Sequence, residues 1–343
     1  MTSRSTAGAS RGDFRHFSEL QFAFATTRVV SSALQLQVFS KLAAGATTAG
    51  AAAQAYGAPE RGVRMLLDAL VGLQLLSKQN GRYALTEFSE RYLVSERADY
   101  AGQVLERDAL PEVWGRLTDV IRTGTPVHAV DQQTEAEHFF PLLVQSLHIQ
   151  HREAARRLAE ALHEERGDGI ARGLDVACGS AVWSIAYAER HSGTKITAQD
   201  FPGMIDTART FVERHGVAAQ FEFLPGDLNT VDFGRESYDI AWLGNIVHSE
   251  GEEASRRLFS RLYPALRPGG QLAIIDFLPD DERTGPLFPL LFALNMLVNT
   301  SHGDTFTLAQ YRQWLGAAGF EDVHTLNVDD APVGTRVVLA RRP

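Results

Sequence analysis

Leu174-Asp175-Val176-Ala177-Cys178-Gly179-Ser180-Ala181-Val182 is the stretch of this 343-residue chain that decides its fold. The apolar run up to Val176 indicates a buried strand, small residues follow it, and a helical pattern starts near Val182. Such a strand, tight turn and helix N-terminus form a binding site for a nucleotide-type ligand, because the helix amides point at the ligand. No lysine follows as in a phosphate loop, and alanines stand at 177 and 181, where a dinucleotide motif favours glycine. Taken alone, the stretch also fits an ordinary strand-to-helix turn.

Further strand patterns follow, separated from one another by helical or turn sequence. They are Lys195–Asp200, Phe221–Leu224, Tyr238–Leu243 and Leu272–Asp276. This alternation predicts an α/β fold, in which a mostly parallel, doubly wound, Rossmann-like sheet carries helices on both faces. We assign the domain to residues 169–343 and expect its ligand at the carboxyl ends of the strands.

Three acids occupy such strand ends. Asp175 lies in the first strand, and Asp200 ends the second, where a carboxylate accepts hydrogen bonds from both ribose hydroxyls. Asp227 follows the third strand, and an acid there accepts from an exocyclic amine. Each alone also fits a turn or helix cap, which is the commoner role of aspartate. Their shared position favours a nucleoside site.

Residues 15–105 are predicted to form a winged-helix domain. A stripe of apolar residues spaced by four predicts one long helix from Phe17 to Leu42. Thr47-Thr48 is placed to cap an alanine-rich helix from Ala49 to Tyr56, and a second amphipathic helix follows. Asn80-Gly81 between two short apolar runs predicts a hairpin.

A winged helix either reads a DNA groove or serves as a dimerisation module. The second helix carries only Arg61 and Arg64 as cations, beside Glu60 and Asp68, which is a poor surface for reading bases. We therefore predict dimerisation, with the long first helix packing against a second copy of the chain.

Composition limits the possible partners and the compartment. The formal net charge of −9 argues against a general nucleic-acid binder, and no apolar run reaches the length of a membrane span. The single cysteine, Cys178, forms no internal disulfide, which fits a cytoplasmic protein. Residues 1–14 are small and polar, so we expect disorder there and no secretory signal. We assign no metal ligands.

Residues 106–168 are predicted to be a helical linker that also roofs the substrate region. A helical pattern runs from Phe139 to Leu162. His148 and His151 lie within it and are candidates for the roof, although packing is the commoner role of such histidines.

Five motifs carry a resemblance that covers nearly the whole chain: LDVACGSA, QDFPGMI, LPGDL, NIVHSEGEE and LRPGGQLAIID. With them the sequence resembles the Class I S-adenosylmethionine-dependent methyltransferases. More narrowly, it is similar to the two-domain small-molecule O-methyltransferases, which include acetylserotonin, caffeate and bacterial polyketide enzymes. The resemblance implies S-adenosyl-L-methionine as cofactor, a small-molecule acceptor, and a homodimer formed through the N-terminal domain.

The resemblance also implies the cofactor residues. The small residues 177–181 face the methionine part, Asp200 holds the ribose beside Phe201, and the loop 226–228 flanks the adenine. Asn245 closes the methionine side. The full set implied is Asp175, Ala177, Gly179, Asp200, Phe201, Gly226, Asp227, Leu228 and Asn245.

His248 matches the general base of the family. Methyl transfer needs positioning above all, but a hydroxyl is a poor nucleophile while it keeps its proton, and a histidine of near-neutral pKa removes it. A histidine that caps the next helix is the alternative. The sequence departs from the family in Ser249-Glu250 after the histidine, and in Thr305 where relatives carry a glutamate, with His302 and Asp304 as possible helpers.

The acceptor region is expected to be apolar and aromatic, which suits a flat hydrophobic substrate. Candidate acceptor residues are Trp114, Phe139, Leu143, His148, Phe292, Met296 and His302, with Phe140, Phe288 and Trp314 nearby. We predict O-methylation of a small aromatic or polyketide-like metabolite. N- or C-methylation and a non-methylating relative stay open, as does a winged-helix regulator that senses a ligand.

Overall fold

Two compact units, Met1–Ala109 and Leu110–Pro343, make up the protein. The computed structural model describes residues 14–107, 110–130, 133–166, 170–326, 328 and 334–343. The disorder expected for residues 1–14 therefore concerns residues outside the described ranges, apart from Phe14, which begins the first helix. No helix in these ranges is long and apolar enough to cross a membrane.

The N-terminal unit contains helices and, among its described residues, a hairpin. In chain order its elements are α1 Phe14–Gln35, α2 Val38–Ala43, α3 Ala49–Tyr56, α4 Glu60–Gly72, β1 Leu76–Gln79, β2 Arg82–Leu85, α5 Glu87–Tyr92 and α6 Gln103–Glu106. The predicted cap is present, since the Thr48 hydroxyl accepts from the Ala51 amide at 3.2 Å. The hairpin is confirmed as well, with Asn80 and Gly81 both in the left-handed region that such a turn requires.

The prediction of one helix from Phe17 to Leu42 is wrong. Gln37 has a φ of 55°, in the left-handed region, so α1 ends before it and α2 begins after it. Leu34, Val38 and Leu42 are nevertheless all buried, as the stripe of apolar residues required. The four-residue spacing thus identified the buried face but gave no sign of the turn within it.

The second unit alternates helices and strands. Its elements are α7 Leu110–Trp114, α8 Leu117–Thr123, α9 Gln133–Arg166, β3 Arg172–Val176, α10 Val182–Arg190, β4 Lys195–Asp200, α11 Pro202–Arg214, β5 Phe221–Pro225, β6 Tyr238–Gly244, α12 Val247–Ala265, β7 Leu266–Phe277, α13 Leu287–Asn299, α14 Leu308–Ala318, β8 Glu321–Leu326 and β9 Thr335–Arg341. The doubly wound α/β prediction is confirmed. The strand β4 has the predicted bounds, whereas β8 and β9 were not predicted.

The seven strands lie in the order β5-β4-β3-β6-β7-β9-β8. The first five are parallel, and β9 pairs antiparallel with both β7 and β8. In chain order, β4 and β5 are added on one side of β3, and β6 and β7 are then added on its other side. The direction of strand addition therefore reverses between β3 and β6. The carboxyl ends of β3 and β6 therefore form the crevice in which such sheets bind ligands.

Each face of the sheet has its own hydrophobic core. Helices α12 and α14 cover one face, where Trp314 lies 2% exposed among core residues. Helices α9 and α10 cover the other face, which includes Trp242 of β6. The expectation that Trp314 lies near the acceptor is therefore wrong, because its ring belongs to the core and packs against Phe306 at 4.8 Å.

Gly173 of β3 gives a test of this packing. A Cβ at Gly173 would lie 2.3 Å from the fully buried Trp242 ring, so we expect Gly173→Ala to lower the free energy of unfolding by about 1–3 kcal/mol. Gly193→Ala is the control, because a Cβ there meets nothing within 4 Å, and it should stay within about 0.5 kcal/mol of wild type. Denaturant unfolding measures both, and equal stabilities would contradict the packing described.

Candidate active site

The loop after β3 has an unusual backbone. Ala177, Gly179 and Ala181 all have φ between 51° and 56°, in the left-handed region. Glycine adopts this conformation readily, whereas an L side chain is less favourable there by about 1–2 kcal/mol. The two alanines thus take the conformation that glycine would take, and the surroundings must hold them in it.

The last two residues of β4 provide that hold. The Gln199 amide oxygen accepts from the Ala177 amide at 3.2 Å, and the Asp200 carboxylate accepts from Gly179 at 2.8 Å. Gln199 also donates to the carbonyl of Gly226 at 2.6 Å, which ties the loop after β5 into the same network. The sequence analysis gave Gln199 no role, although its position just before Asp200 places it at the same strand end.

A cavity lies above these strand ends. Eight of the nine predicted cofactor residues line it: Asp175, Ala177, Gly179, Asp200, Phe201, Gly226, Leu228 and Asn245. Helix α9 contributes Phe140, Val144, Leu147 and His151, α10 contributes Trp183, and α12 contributes Ser249 and Glu250. The sequence pattern therefore identified the floor of the cavity better than its walls.

Asp227 is the exception among the nine. It does not line the cavity, and its carboxylate accepts from the Asn229 amide at 2.8 Å, as in an Asx turn. The expectation that its side chain faces the ligand is corrected accordingly. The neighbouring Gly226 and Leu228 line the cavity instead.

The charged side chains in the described lining of the cavity are acidic. Asp175, Asp200 and Glu250 line it, and the described lining includes neither lysine nor arginine. Burial, together with the nearby Asp200 charge, raises the pKa of Asp175 from 3.8 to about 7, although the Ser184 hydroxyl opposes this by hydrogen bonding to the carboxylate. Such a lining favours a ligand with net positive charge and disfavours phosphate-bearing nucleotides.

His248, just past β6, pairs with Asp276 near the end of β7. Its ring nitrogen Nδ1 lies 2.5 Å from one carboxylate oxygen of Asp276, and its backbone N–H donates to the other at 3.0 Å. Both side chains are buried. An ionised carboxylate only accepts, so Nδ1 carries the proton and Nε2 presents a lone pair.

The acidic partner of His248 is therefore not in the segment that the sequence suggested. Thr305 donates its hydroxyl proton to the carbonyl of Pro289, and Asp304 pairs with Arg283 at 3.3 Å. His302 is exposed. Asp276 was part of the LRPGGQLAIID motif without an assigned role. An acid near the end of the strand next to β6 was the signal that could have identified it.

Three phenylalanines surround the His248 ring. Phe277 stacks on it at 5.9 Å between ring centres, and Phe292 of α13 meets it edge-on at 4.9 Å. Phe288 extends this aromatic cluster, 5.0 Å from Phe277, and is 37% exposed. Met296, one turn further along α13, brings its sulfur within 3.9 Å of the Ser249 hydroxyl.

The other predicted acceptor residues lie elsewhere. Trp114 and Leu143 are half-buried and do not line the cavity, and the Phe139 side chain lies outside the described residues. His148 does not line the cavity either and contacts Ser180 and His215. Among the described side chains of that group, Phe292 contacts His248 and Met296 contacts the neighbouring Ser249.

His151 is a wall residue of the cavity with a fixed tautomer. Its Nδ1 lies 2.8 Å from the Leu147 carbonyl, so Nδ1 donates and Nε2 is unprotonated. Burial lowers its pKa from 6.5 to about 4; the bond to Leu147 opposes this, and a charge on His248 adds to it. The imidazole is therefore neutral at physiological pH.

Comparison with known proteins agrees with this geometry. Residues 128–321 match the O-methyltransferase domain and residues 18–95 the O-methyltransferase dimerisation domain. Fold and site together define an S-adenosyl-L-methionine-dependent methyltransferase. The chain belongs to the O-methyltransferase family.

Three relatives illustrate this membership. The chain is 30% identical to the tetracenomycin polyketide synthesis 8-O-methyl transferase of Streptomyces glaucescens, over 95% of this chain and 96% of that one. It is 29% identical to the 3-hydroxy-5-methyl-1-naphthoate 3-O-methyltransferase of Streptomyces sahachiroi, over 88% and 87%. The structure of human N-acetylserotonin methyltransferase in complex with S-adenosyl-L-methionine matches with a TM-score of 0.82 and 25% identity, over 98% and 99%.

Asp175 and His151 predict opposite pH trends in stability. The raised pKa of Asp175 means that the unfolded chain binds fewer protons between about pH 4 and 7, so this residue lowers stability as pH rises through that window. The lowered pKa of His151 means that the unfolded chain binds more protons between about pH 4 and 6.5, so this residue lowers stability as pH falls.

Each variant should therefore remove one trend. The quantity to compare is the change in unfolding free energy between pH 4.5 and pH 7.5. This change should be more favourable in Asp175→Asn than in wild type by on the order of 2–3 kcal/mol, and less favourable in His151→Gln by a similar amount. Denaturant unfolding of the ligand-free protein measures this. Parallel pH curves for wild type and both variants would refute the assignment.

Proposed function

We propose that this enzyme transfers a methyl group to a hydroxyl of a small aromatic, polyketide-like metabolite, with His248 as the general base. The observation that carries the proposal is the pair formed by His248 and Asp276, which lies within the aromatic cluster, while the neighbouring Ile246 and Ser249 line the cavity. A hydroxyl acceptor needs such a base, because it must lose its proton as it attacks.

The residues of the cavity fit S-adenosyl-L-methionine, which when bound supplies an electrophilic methyl group on a positively charged sulfur. Asp200 is proposed to hold the ribose hydroxyls, since a carboxylate accepts up to about four hydrogen bonds. Phe201, Gly226 and Leu228 then flank the adenine. Ala177, Gly179 and Asn245 face the methionine part, and Asp175 places a carboxylate near its positive charges.

His248 is proposed to act through Nε2. The acceptor hydroxyl gives its proton to this nitrogen while the oxygen attacks the methyl carbon and the bond from sulfur to methyl breaks. The products are the methyl ether and the neutral thioether S-adenosylhomocysteine. Asp276 fixes the tautomer that leaves Nε2 unprotonated, and its negative charge stabilises the imidazolium that forms.

The aromatic cluster supports a flat acceptor. Phe277, Phe288 and Phe292 offer ring faces and edges to an aromatic system beside His248. Two relatives are named for a hydroxy-naphthoate and for a tetracenomycin polyketide, which are acceptors of this kind. We therefore place the acceptor ring against this cluster, with the reacting hydroxyl towards Nε2.

Turnover of His248 and Asp276 variants tests the base. We expect His248→Ala to lower kcat by roughly 10²–10⁴-fold, because unassisted deprotonation is slow, and Asp276→Asn to lower it less. Methylation of a hydroxylated naphthoic acid, followed by mass spectrometry, measures the rate, and calorimetry with S-adenosylhomocysteine should give unchanged affinity.

Asp304→Asn is the matched control. Asp304 contacts His248 through its backbone amide, which donates to the His248 carbonyl at 2.9 Å, so a change of the side chain leaves this contact in place. It should keep wild-type turnover. If His248→Ala keeps full turnover, His248 is not the base.

We further propose a homodimer through the N-terminal unit. Helix α1 exposes large apolar side chains that a second copy would cover: Phe14, Phe17, Leu20, Phe22 and Phe24, each more than half exposed. The matching dimerisation domain spans this helix from residue 18. Light scattering should give twice the chain mass for wild type, and a lower mass for Phe22→Glu combined with Phe24→Glu.

Ile121→Glu is the control for that measurement, since Ile121 is 60% exposed but lies in the other unit. It should leave the mass of the assembly unchanged. A monomeric wild type, or a double variant that stays dimeric, would contradict an interface on α1.

A further inference from the structure

A line of four side chains connects the cavity to the protein surface. The Ser180 hydroxyl lies 3.0 Å from Nδ1 of His148, and Nε2 of His148 lies 3.1 Å from Nε2 of His215. Nδ1 of His215 lies 2.7 Å from the Glu189 carboxylate. Ser180 lines the cavity, and His148 is buried, with its ring stacked on Phe211. The mechanism above uses none of these four residues.

The carboxylate at the outer end sets the direction of every hydrogen bond in this line. Ionised Glu189 only accepts, so Nδ1 of His215 donates to it, and a neutral His215 then accepts at Nε2. His148 must therefore donate from its Nε2, which leaves its Nδ1 as an acceptor. Ser180 consequently donates its only proton to His148 and turns its oxygen lone pairs elsewhere.

We propose that this line makes Ser180 an obligate hydrogen-bond acceptor for the α-ammonium group of the cofactor's methionine part. The proposal rests on the cofactor site proposed above. Ser180 lies next to Gly179, whose amide is bound by Asp200, so it faces the end of the cofactor beyond the ribose. With its proton committed to His148, Ser180 binds an ammonium donor but not a carboxylate.

The charge of the surrounding residues supports the same orientation. The carboxylates of Asp175 and Asp200 line this cavity, and its described walls offer no cationic lysine or arginine to a carboxylate ligand. An ammonium group is favoured here over a carboxylate by both charge and proton direction. His148, His215 and Glu189 are thus positioning residues that act through Ser180.

Calorimetry with two probes tests this in the full-length protein. One is S-adenosylhomocysteine, and the other is its desamino analogue, in which hydrogen replaces the α-ammonium. We expect wild type to bind the first more tightly by roughly tenfold or more at pH 8. Ser180→Ala should lower this ratio severalfold, and the preference that remains comes from the carboxylates of Asp175 and Asp200.

The variants separate positioning from packing. Glu189→Ala changes a partly exposed side chain and should lower the ratio severalfold at pH 8. Glu160→Ala is the matched control, because Glu160 pairs with the neighbouring Arg190 at 3.1 Å and does not touch either imidazole. His148→Asn, which keeps an acceptor near the Nδ1 position, should retain more of the ratio than His148→Leu.

The results distinguish the two proposals. An unchanged ratio in Ser180→Ala, or a Glu189→Ala protein that behaves like Glu160→Ala, overturns the role of the line while the cofactor site stands. A wild type that binds neither probe overturns the cofactor site and this inference with it. Thermal melting of each variant shows that it is folded before its ratio is interpreted.

Discussion

The hydrogen bonds from the end of β4 to the loop after β3 are the constraint on which the site depends. The side chains of Gln199 and Asp200 accept hydrogen bonds from the amides of Ala177 and Gly179. These bonds stabilise a left-handed backbone conformation that alanine does not favour. Because Gln199 also binds the Gly226 carbonyl, the same residue fixes the floor of the cavity on both sides. The floor of the cavity is therefore made by three strand ends that brace one another, and the left-handed backbone at 177 and 181 forms without glycine.

Another pair of strand ends holds His248 and Asp276 in a similar way. His248 stands just past β6 and Asp276 near the end of β7, and one carboxylate binds both the ring and the backbone of the histidine. The position of the histidine thus depends on the register of two adjacent parallel strands. The phenylalanines around it belong to β7 and α13, so the proposed acceptor region depends on the same register.

Sequence patterns predicted the elements with strong local signals and missed those that depend on tertiary contacts. The hairpin was predictable because its two turn residues, Asn80 and Gly81, are of the types that favour positive φ. The positive φ of Gln37 was not predictable, because the spacing of the apolar residues continues unchanged through it. Most of the cavity floor was predictable because the carboxyl ends of parallel strands meet at one edge of the sheet. Asp276 was not paired with His248 in advance, because that contact joins residues 28 positions apart on separate strands. Asp227 has the right spacing, but its side chain is taken up by a local turn.

The acidic lining has a consequence for turnover. The methyl donor carries a positive sulfonium, and the thioether left after the reaction has one positive charge less. In the cofactor site proposed above, the carboxylates of Asp175, Asp200 and Glu250 therefore attract the methyl donor more strongly than the thioether product.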